Sequence, residues 1–114
     1  MQYYEEKIED TIILKPLVKR IDASNAQELK TVILERTVTG NVRILIDLSF
    51  VDFIDSSGLG AVVSVLKASG RSSSISICGL SETVNTVFRL SRMDKIFQIF
   101  DSKEQALKAL HINR

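Results

Sequence analysis

The sequence predicts an open α/β domain built on a mainly parallel sheet. Three observations carry this. Short apolar segments with strand character recur at Thr11–Lys15, Val42–Leu48, Ser74–Gly79 and Ile96–Phe100. Segments with apolar residues at helical spacing lie between and after them. Residues that commonly start helices precede most of those helical segments. Strands that alternate with helices need crossover connections, and right-handed crossovers are the expectation. The succession of βα units is too short for a closed barrel.

The elements follow in order. Thr11-Ile12-Ile13-Leu14-Lys15 reads as a strand, and Pro16, which lacks an N–H, belongs at a sheet edge or a strand end. Ser24 with Gln27, or Asn25 with Glu28, offers a capping box for a helix carrying Ala26, Leu29, Val32 and Ile33, which Gly40-Asn41 ends. In Val42–Leu48, Val42, Ile44, Ile46 and Leu48 share one face and Leu45 adds apolar character to the other, as in an inner strand covered on at least part of both faces. Leu59, Val62, Val63 and Leu66 form a helical stripe that stops near Gly70. After the strand at Ser74–Gly79, Ser81 caps a helix bearing Val84, Val87, Phe88 and Ser91. A short strand at Ile96–Phe100 leads to Ser102, which with Gln105 caps a last helix carrying Ala106, Leu107 and Leu110. Phe88, Phe97 and Phe100 are core candidates, and Cys78 is a buried strand residue.

Composition narrows the function classes. The chain has 114 residues, enough for one domain with a real core. With 45% hydrophobic and 25% charged residues it matches ordinary soluble globular proteins. A formal charge of +1 provides no global attraction to nucleic acid or to acidic membranes. No apolar run is long enough to span a bilayer, and the polar Met1–Lys7 segment is not a signal peptide. One cysteine precludes an internal disulfide and fits a reducing cytoplasm. One histidine, His111, leaves little material for a zinc site or a histidine-based catalyst, and it reads as an exposed helix-end residue.

The densest signal is Val51-Asp52-Phe53-Ile54-Asp55-Ser56-Ser57-Gly58-Leu59-Gly60, where two serines stand at a strand-to-helix junction. A hydrolytic serine needs a base and, in the nucleophile elbow, a Gly-x-Ser-x-Gly spacing; the first glycine is missing and the lone histidine is remote in sequence. A phosphate-binding loop would need Gly-x-x-x-x-Gly-Lys-Ser/Thr or Gly-x-Gly-x-x-Gly, and neither is present. A phosphoaspartate receiver using Asp47, Asp52 or Asp55 would need paired acids after the first strand to hold a divalent cation. A phosphoacceptor asks least of the chain: it presents a hydroxyl while a partner brings ATP and the catalytic groups. The alternative is purely structural, with Asp55, Ser56 or Ser57 as helix caps. Gly58 and Gly60 admit close approach of backbone or partner, or serve packing alone. Leu59 is either an exposed docking residue or the first core residue of the helix.

The run Ile44-Leu45-Ile46-Asp47-Leu48-Ser49-Phe50-Val51-Asp52-Phe53-Ile54-Asp55-Ser56-Ser57-Gly58-Leu59-Gly60 resembles the signature of STAS domains, especially the single-domain bacterial anti-sigma-factor antagonists. The resemblance implies one domain over residues 1–114: a sandwich of a mixed four- to five-stranded sheet with about four helices, mainly on one side. It implies a non-enzymatic, cytoplasmic switch protein, monomeric or weakly dimeric, with no cofactor or metal of its own. Ser56 would be the phosphoacceptor. The unphosphorylated form would bind an anti-sigma factor that is also a serine kinase and holds the ATP, phosphorylation would end binding, and a PP2C-type phosphatase would restore it. Asp22, Asn25, Asp55, Ser57, Gly58, Leu59 and Gly60 would lie on or beside the docking surface. Direct nucleic-acid binding and membrane insertion are not expected. Where the family commonly has a Gly-Glu/Asp-Leu/Ile-Asp turn, this chain has Lys19-Arg20-Ile21-Asp22, a basic pair that favours a partner of complementary charge. Two alternatives are a STAS switch with an output other than a sigma factor, such as secretion or biofilm formation, and a scaffold subunit of a stress-sensing or lipid-transport complex.

Overall fold

The computed structural model describes residues 1–38, 42–69 and 74–112. The helix stops predicted at Gly40-Asn41 and Gly70, and the side chain of Leu66, lie outside the described residues.

The chain forms β1 (Tyr3–Ile8), β2 (Thr11–Pro16), β3 (Arg20–Ile21), α1 (Ala26–Thr37), β4 (Arg43–Asp47), β5 (Phe53–Ile54), α2 (Ser56–Ser69), β6 (Ser74–Cys78), α3 (Glu82–Leu90), β7 (Gln98–Phe100) and α4 (Lys103–Ala109), with a 3-10 turn at Met93–Lys95. The main sheet has the order β1-β2-β4-β6-β7. Its β1–β2 pair is antiparallel, and the other three pairs are parallel. A separate two-residue parallel ladder joins β3 to β5.

Alternation along the strands explains the layers. In β2, β4 and β6, Ile12, Leu14, Ile44, Ile46, Ile75 and Ile77 face the larger core, which α1, α2 and α3 close with Leu29, Ile33, Val62, Val65, Val84 and Phe88. The opposite side chains Ile13, Leu45 and Cys78 meet Ala106 and Leu107 of α4. Three helices therefore cover one face and one covers part of the other, as the predicted sandwich requires. β4 sits at the centre with four consecutive buried residues, which accounts for its run of apolar side chains on both faces. Burial pushes the Cys78 thiol up to about 12, with the nearby Asp47 carboxylate adding to the shift.

Several local expectations need correction. The N-terminal Tyr3–Ile8 segment is a full edge strand, although its pattern is polar. It pairs with β2 from Tyr3↔Pro16 to Ile8↔Thr11. Ion pairs hold it from both faces: Arg36 of α1 donates to Glu5 at 2.6 Å, and Lys103 of α4 donates to Glu6 at 2.9 Å. Pro16 lies at the end of β2, beyond the residues that pair with β4. The buried stripe of α2 runs through Ala61, Val62 and Val65, with Val63 only half-buried, so the predicted stripe was rotated toward Val63. Ser81 and Ser102 cap α3 and α4 as expected, accepting from Val84 N at 3.2 Å and Gln105 N at 3.1 Å. At the end of α4, exposed His111 takes a left-handed conformation (φ 58°). His111 N then bonds Lys108 O, and Ile112 N bonds Leu107 O, which closes the helix as a Schellman motif.

Candidate functional site

The serine motif follows directly from β4. Leu48 and Val51 bury both ends of the connecting turn, and Val51 N bonds Leu48 O at 3.0 Å. The chain then enters β5, whose Ile54 points into the core, and α2 begins at Ser56 itself. Asp55 is the cap. Its carbonyl accepts from Leu59 N at 2.9 Å and its Oδ1 from Gly58 N at 3.0 Å. The capping alternative left open among Asp55, Ser56 and Ser57 thus resolves to Asp55, and both serines occupy the exposed first turn. Among the described residues the Ser56 hydroxyl makes no hydrogen bond.

The helix start is seated by Gly58. A Cβ there would lie 2.7 Å from Ile21 O, 2.7 Å from Ile54 Cγ1 and 2.8 Å from Ile21 Cγ2. Only glycine lets α2 pass this close to β3 and β5. Gly58 therefore faces inward and supports the surface rather than forming it. Leu59 is half-buried against the larger core, so it is a core residue first. Gly60 is exposed, and a Cβ there would meet nothing within 4 Å.

The β3–β5 ladder brings a distant segment alongside. Arg20 pairs with Phe53 and Ile21 with Ile54; Asp55 N donates to Ile21 O at 3.2 Å. Asp22 consequently emerges beside Asp55. Asp22 Oδ1 accepts from Ser24 N at 2.9 Å and from Ser24 Oγ at 2.6 Å. The Ser24 hydroxyl, then the Ser24 amide and weaker contributions that include Arg20, hold the Asp22 carboxyl below its ordinary range. Asn25 stands at the N-cap position of α1 as predicted, but its side chain makes no capping hydrogen bond, so the predicted capping box does not form; Ser24 is engaged with Asp22. Asn25 Oδ1 accepts from Asp22 N at 3.0 Å, and its Nδ2 donates to Arg20 O at 2.8 Å. Both ends of its side chain are used to fold the turn back on β3. Where α1 and α2 meet, Ala23, Ala26, Gln27, Lys30, Ser57, Ala61 and Ser64 line a shallow groove of about 290 Å³.

The structure thus gathers Asp22, Asn25, Asp55, Ser56 and Ser57 at one end of the molecule, with Gly58 beneath them and Leu59 and Gly60 a turn further along. His111 follows α4, on the opposite face of the sheet from α2, so it is not placed to act as a base for Ser56. A larger cavity of about 590 Å³ lies on that second face around Asp47, Lys15 and Lys103; neither Ser56 nor the residues predicted to dock a partner line it. One pair of features escaped sequence reading. Lys19 Nζ stands 4.3 Å from the centre of the Phe50 ring, and the Arg20 guanidinium carbon stands 4.2 Å from that of Phe53. The basic pair stands out in the sequence, but its aromatic partners become visible only through the β3–β5 pairing.

This architecture has close counterparts. The model of the STAS domain matches residues 3–106. A Thermotoga neapolitana protein that carries the name anti-sigma factor antagonist homologue is 32% identical over 103 residues, covering 89% of this chain and 90% of that one. A crystal structure named for an anti-sigma factor antagonist of Thermotoga maritima superposes with a TM-score of 0.85 at 27% identity, over 96% of this chain and 94% of the other. The Bacillus cell fate determinant SpoIIAA in its phosphorylated form shares the fold, with a TM-score of 0.70 at 19% identity over 96% and 99% of the two chains. No helix among the described residues is long and apolar enough to cross a membrane. The family match spans nearly the whole sequence and the fold is shared with the solved relative, and the chain belongs to the STAS domain family.

Proposed function

We propose that this protein is an anti-sigma-factor antagonist of a partner-switching pathway, with Ser56 as its phosphoacceptor. The observation that carries this reading is the setting of Ser56. Its hydroxyl is exposed on the first residue of α2, while the backbone beneath it is held by the Asp55 cap and the Gly58 contact. A kinase can reach this hydroxyl without opening the fold. The relatives that carry the antagonist name support the pathway.

In this reading the unphosphorylated face, with Asp22, Asp55, Ser57 and Gly60 around Ser56, docks on an anti-sigma factor that is also a serine kinase and supplies ATP. Asn25, Gly58 and Leu59 act from beneath by fixing the turn and the helix start. A phosphate on Ser56 adds about −1.5 to −2 charges and three acceptor oxygens. The positive end of α2 tolerates that charge within the domain. A partner surface docked against Asp22 and Asp55 does not, so binding ends while the fold persists. A phosphatase of the PP2C type resets the switch.

The test is a pulldown with wild type, Ser56→Ala and Ser56→Asp, followed by phosphosite mass spectrometry on protein taken from cells. Ser56→Ala retains a kinase-like partner, Ser56→Asp retains much less, and the wild type carries phosphate on Ser56. Equal capture by all three proteins, with Ser56 unmodified, refutes the switch.

A further inference from the structure

The face beside Ser56 carries an ordered pair of cations. Ile21 and Ile54 are both fully buried, so strand alternation turns their neighbours Arg20 and Phe53 outward together. The guanidinium of Arg20 then lies over the Phe53 ring. One residue earlier, Lys19 O accepts from Asp52 N at 2.7 Å and Phe53 N at 3.2 Å, which brings Lys19 over the Phe50 ring. Two cations stand in register on two aromatic platforms, a cation–π arrangement that restrains long side chains. The side chains of both cations are 62% exposed.

Their carboxylate neighbours leave them largely available. Asp52 is 3.7 Å from Lys19 Nζ, and Asp22 is 3.6 Å from Arg20 Nε. Exposed pairs at such distances contribute little. Asp22 is also committed to its own turn through Ser24. Arg20 reaches Asp22 only through Nε, at 3.6 Å, and Lys19 reaches Asp52 at 3.7 Å, so the remaining donors of both side chains face outward toward a partner.

We propose that Lys19, Arg20, Phe50 and Phe53 form a preorganised docking ridge that selects a protein partner with acidic side chains opposite the two cations. The inference rests on the reading of the Ser56 face as the partner-binding face. It adds the partner's charge and the residues that read it. Ser56 lies three positions after Phe53, at most about 11 Å of chain, so ridge and switch lie close together. A protein fits better than a polyanion. The two cations alternate with Asp22, Asp52 and Asp55, which repel a continuous phosphate backbone or an anionic membrane but accommodate carboxylates placed singly. Aromatic residues and arginine are also the types enriched at the energetic centres of protein interfaces. An acidic partner further explains the sign of the switch, because phosphate on Ser56 would repel it.

The test uses the recombinant anti-sigma factor/serine kinase of the same genome that Ser56→Ala retains, with stopped-flow association at roughly 50 and 500 mM salt. Wild type, Lys19→Glu, Arg20→Glu and the double variant are compared, with melting curves confirming that each is folded. The double variant associates about tenfold more slowly at low salt, and the gap narrows at high salt. An Asp/Glu→Lys change on the partner restores the rate for Arg20→Glu. If charge reversal leaves rate and salt dependence unchanged while Ser56→Asp still fails to bind, the ridge is refuted and the switch stands. If neither wild type nor Ser56→Ala retains any such kinase, both readings fall together. If wild type binds duplex DNA or phosphatidylserine vesicles and Arg20→Glu abolishes this, the ridge reads polyanions and the proposal is overturned.

Discussion

Replacing Gly58 by alanine separates the support of the Ser56 face from its surface. The new methyl group would sit 2.7 Å from the carbonyl oxygen of Ile21 and within 2.8 Å of two isoleucine side-chain carbons. The side-chain carbons can shift, but the carbonyl oxygen belongs to β3 and also accepts from Asp55 N. Relief therefore requires α2 to move away from the β3–β5 ladder. Inserting a methyl into so tight a contact costs about 2–3 kcal/mol, the upper part of the usual range for overpacking. The better helix propensity of alanine returns about 1 kcal/mol. The net expectation is a loss of about 1–2 kcal/mol, or roughly 4–10 °C in melting temperature for a domain of this size. Gly60→Ala is the internal control. It lies two residues on in the same helix, is exposed, and meets nothing within 4 Å. It should gain about 0.4–1 kcal/mol. Urea unfolding followed by circular dichroism measures both variants against wild type. A Gly58→Ala protein as stable as Gly60→Ala would refute the packing argument, and so would two variants destabilised alike.

Two further substitutions probe the turn beside Ser56. Asn25→Asp keeps the acceptor for Asp22 N but sets a carboxylate oxygen against Arg20 O, where Nδ2 now donates at 2.8 Å; a loss of about 1–3 kcal/mol near neutral pH is expected in urea unfolding. Asp22 titrates below its ordinary 3.8 because Ser24 hydrogen-bonds its ionised form. The depressed value means that this carboxylate supports the fold above its unfolded-state pKa, and that the support disappears as pH falls through the folded value, below 3.8. Side-chain NMR titration should place the Asp22 midpoint below 3.8, and Ser24→Ala should raise it toward 3.8.

What was legible in the sequence depended on whether one segment carried the whole signal. β4 could be read because its apolar residues alternate and also fill the second face, which only an inner strand does. Ser81 and Ser102 could be read because a cap acts within one turn of its own helix. β1 could not, since none of its residues is buried. Its strand state comes from pairing with β2 and from ion pairs to α1 and α4, and charged residues are common on edge strands. The two-residue strands β3 and β5 were invisible for the same reason: each exists only through the other. Asn25 shows a subtler failure. A residue type suited to capping was recognised, but the direction of its side chain was set by the Asp22–Ser24 turn and by Arg20 O, which no local pattern announces. In the candidate site, the serine turn was recognised from its own residues, whereas the stacking of Lys19 and Arg20 on Phe50 and Phe53 required a contact across about 30 residues.

The same geometry bears on how a phosphate could switch binding without altering the fold. The groups that fix the start of α2 are the Asp55 carboxylate, the Gly58 amide and the buried Ile21 and Ile54. None of them is the Ser56 hydroxyl. Asp55 takes the Gly58 amide, but the amides of Ser56 and Ser57 precede the first intrahelical bond, so an added phosphate still meets the positive end of the helix. What changes is the outward charge. Lys19 and Arg20 stand among the carboxylates of Asp22, Asp52 and Asp55, a nearly balanced surface on which about −1.5 to −2 charges would be decisive. Substitutions at Ser56 should therefore change partner binding by a large factor and melting temperature by little, while Gly58→Ala should lower melting temperature in the unphosphorylated protein. If Ser56→Asp instead melted as low as Gly58→Ala, the hydroxyl would belong to the support, and phosphorylation would act by loosening α2 rather than by repelling the partner.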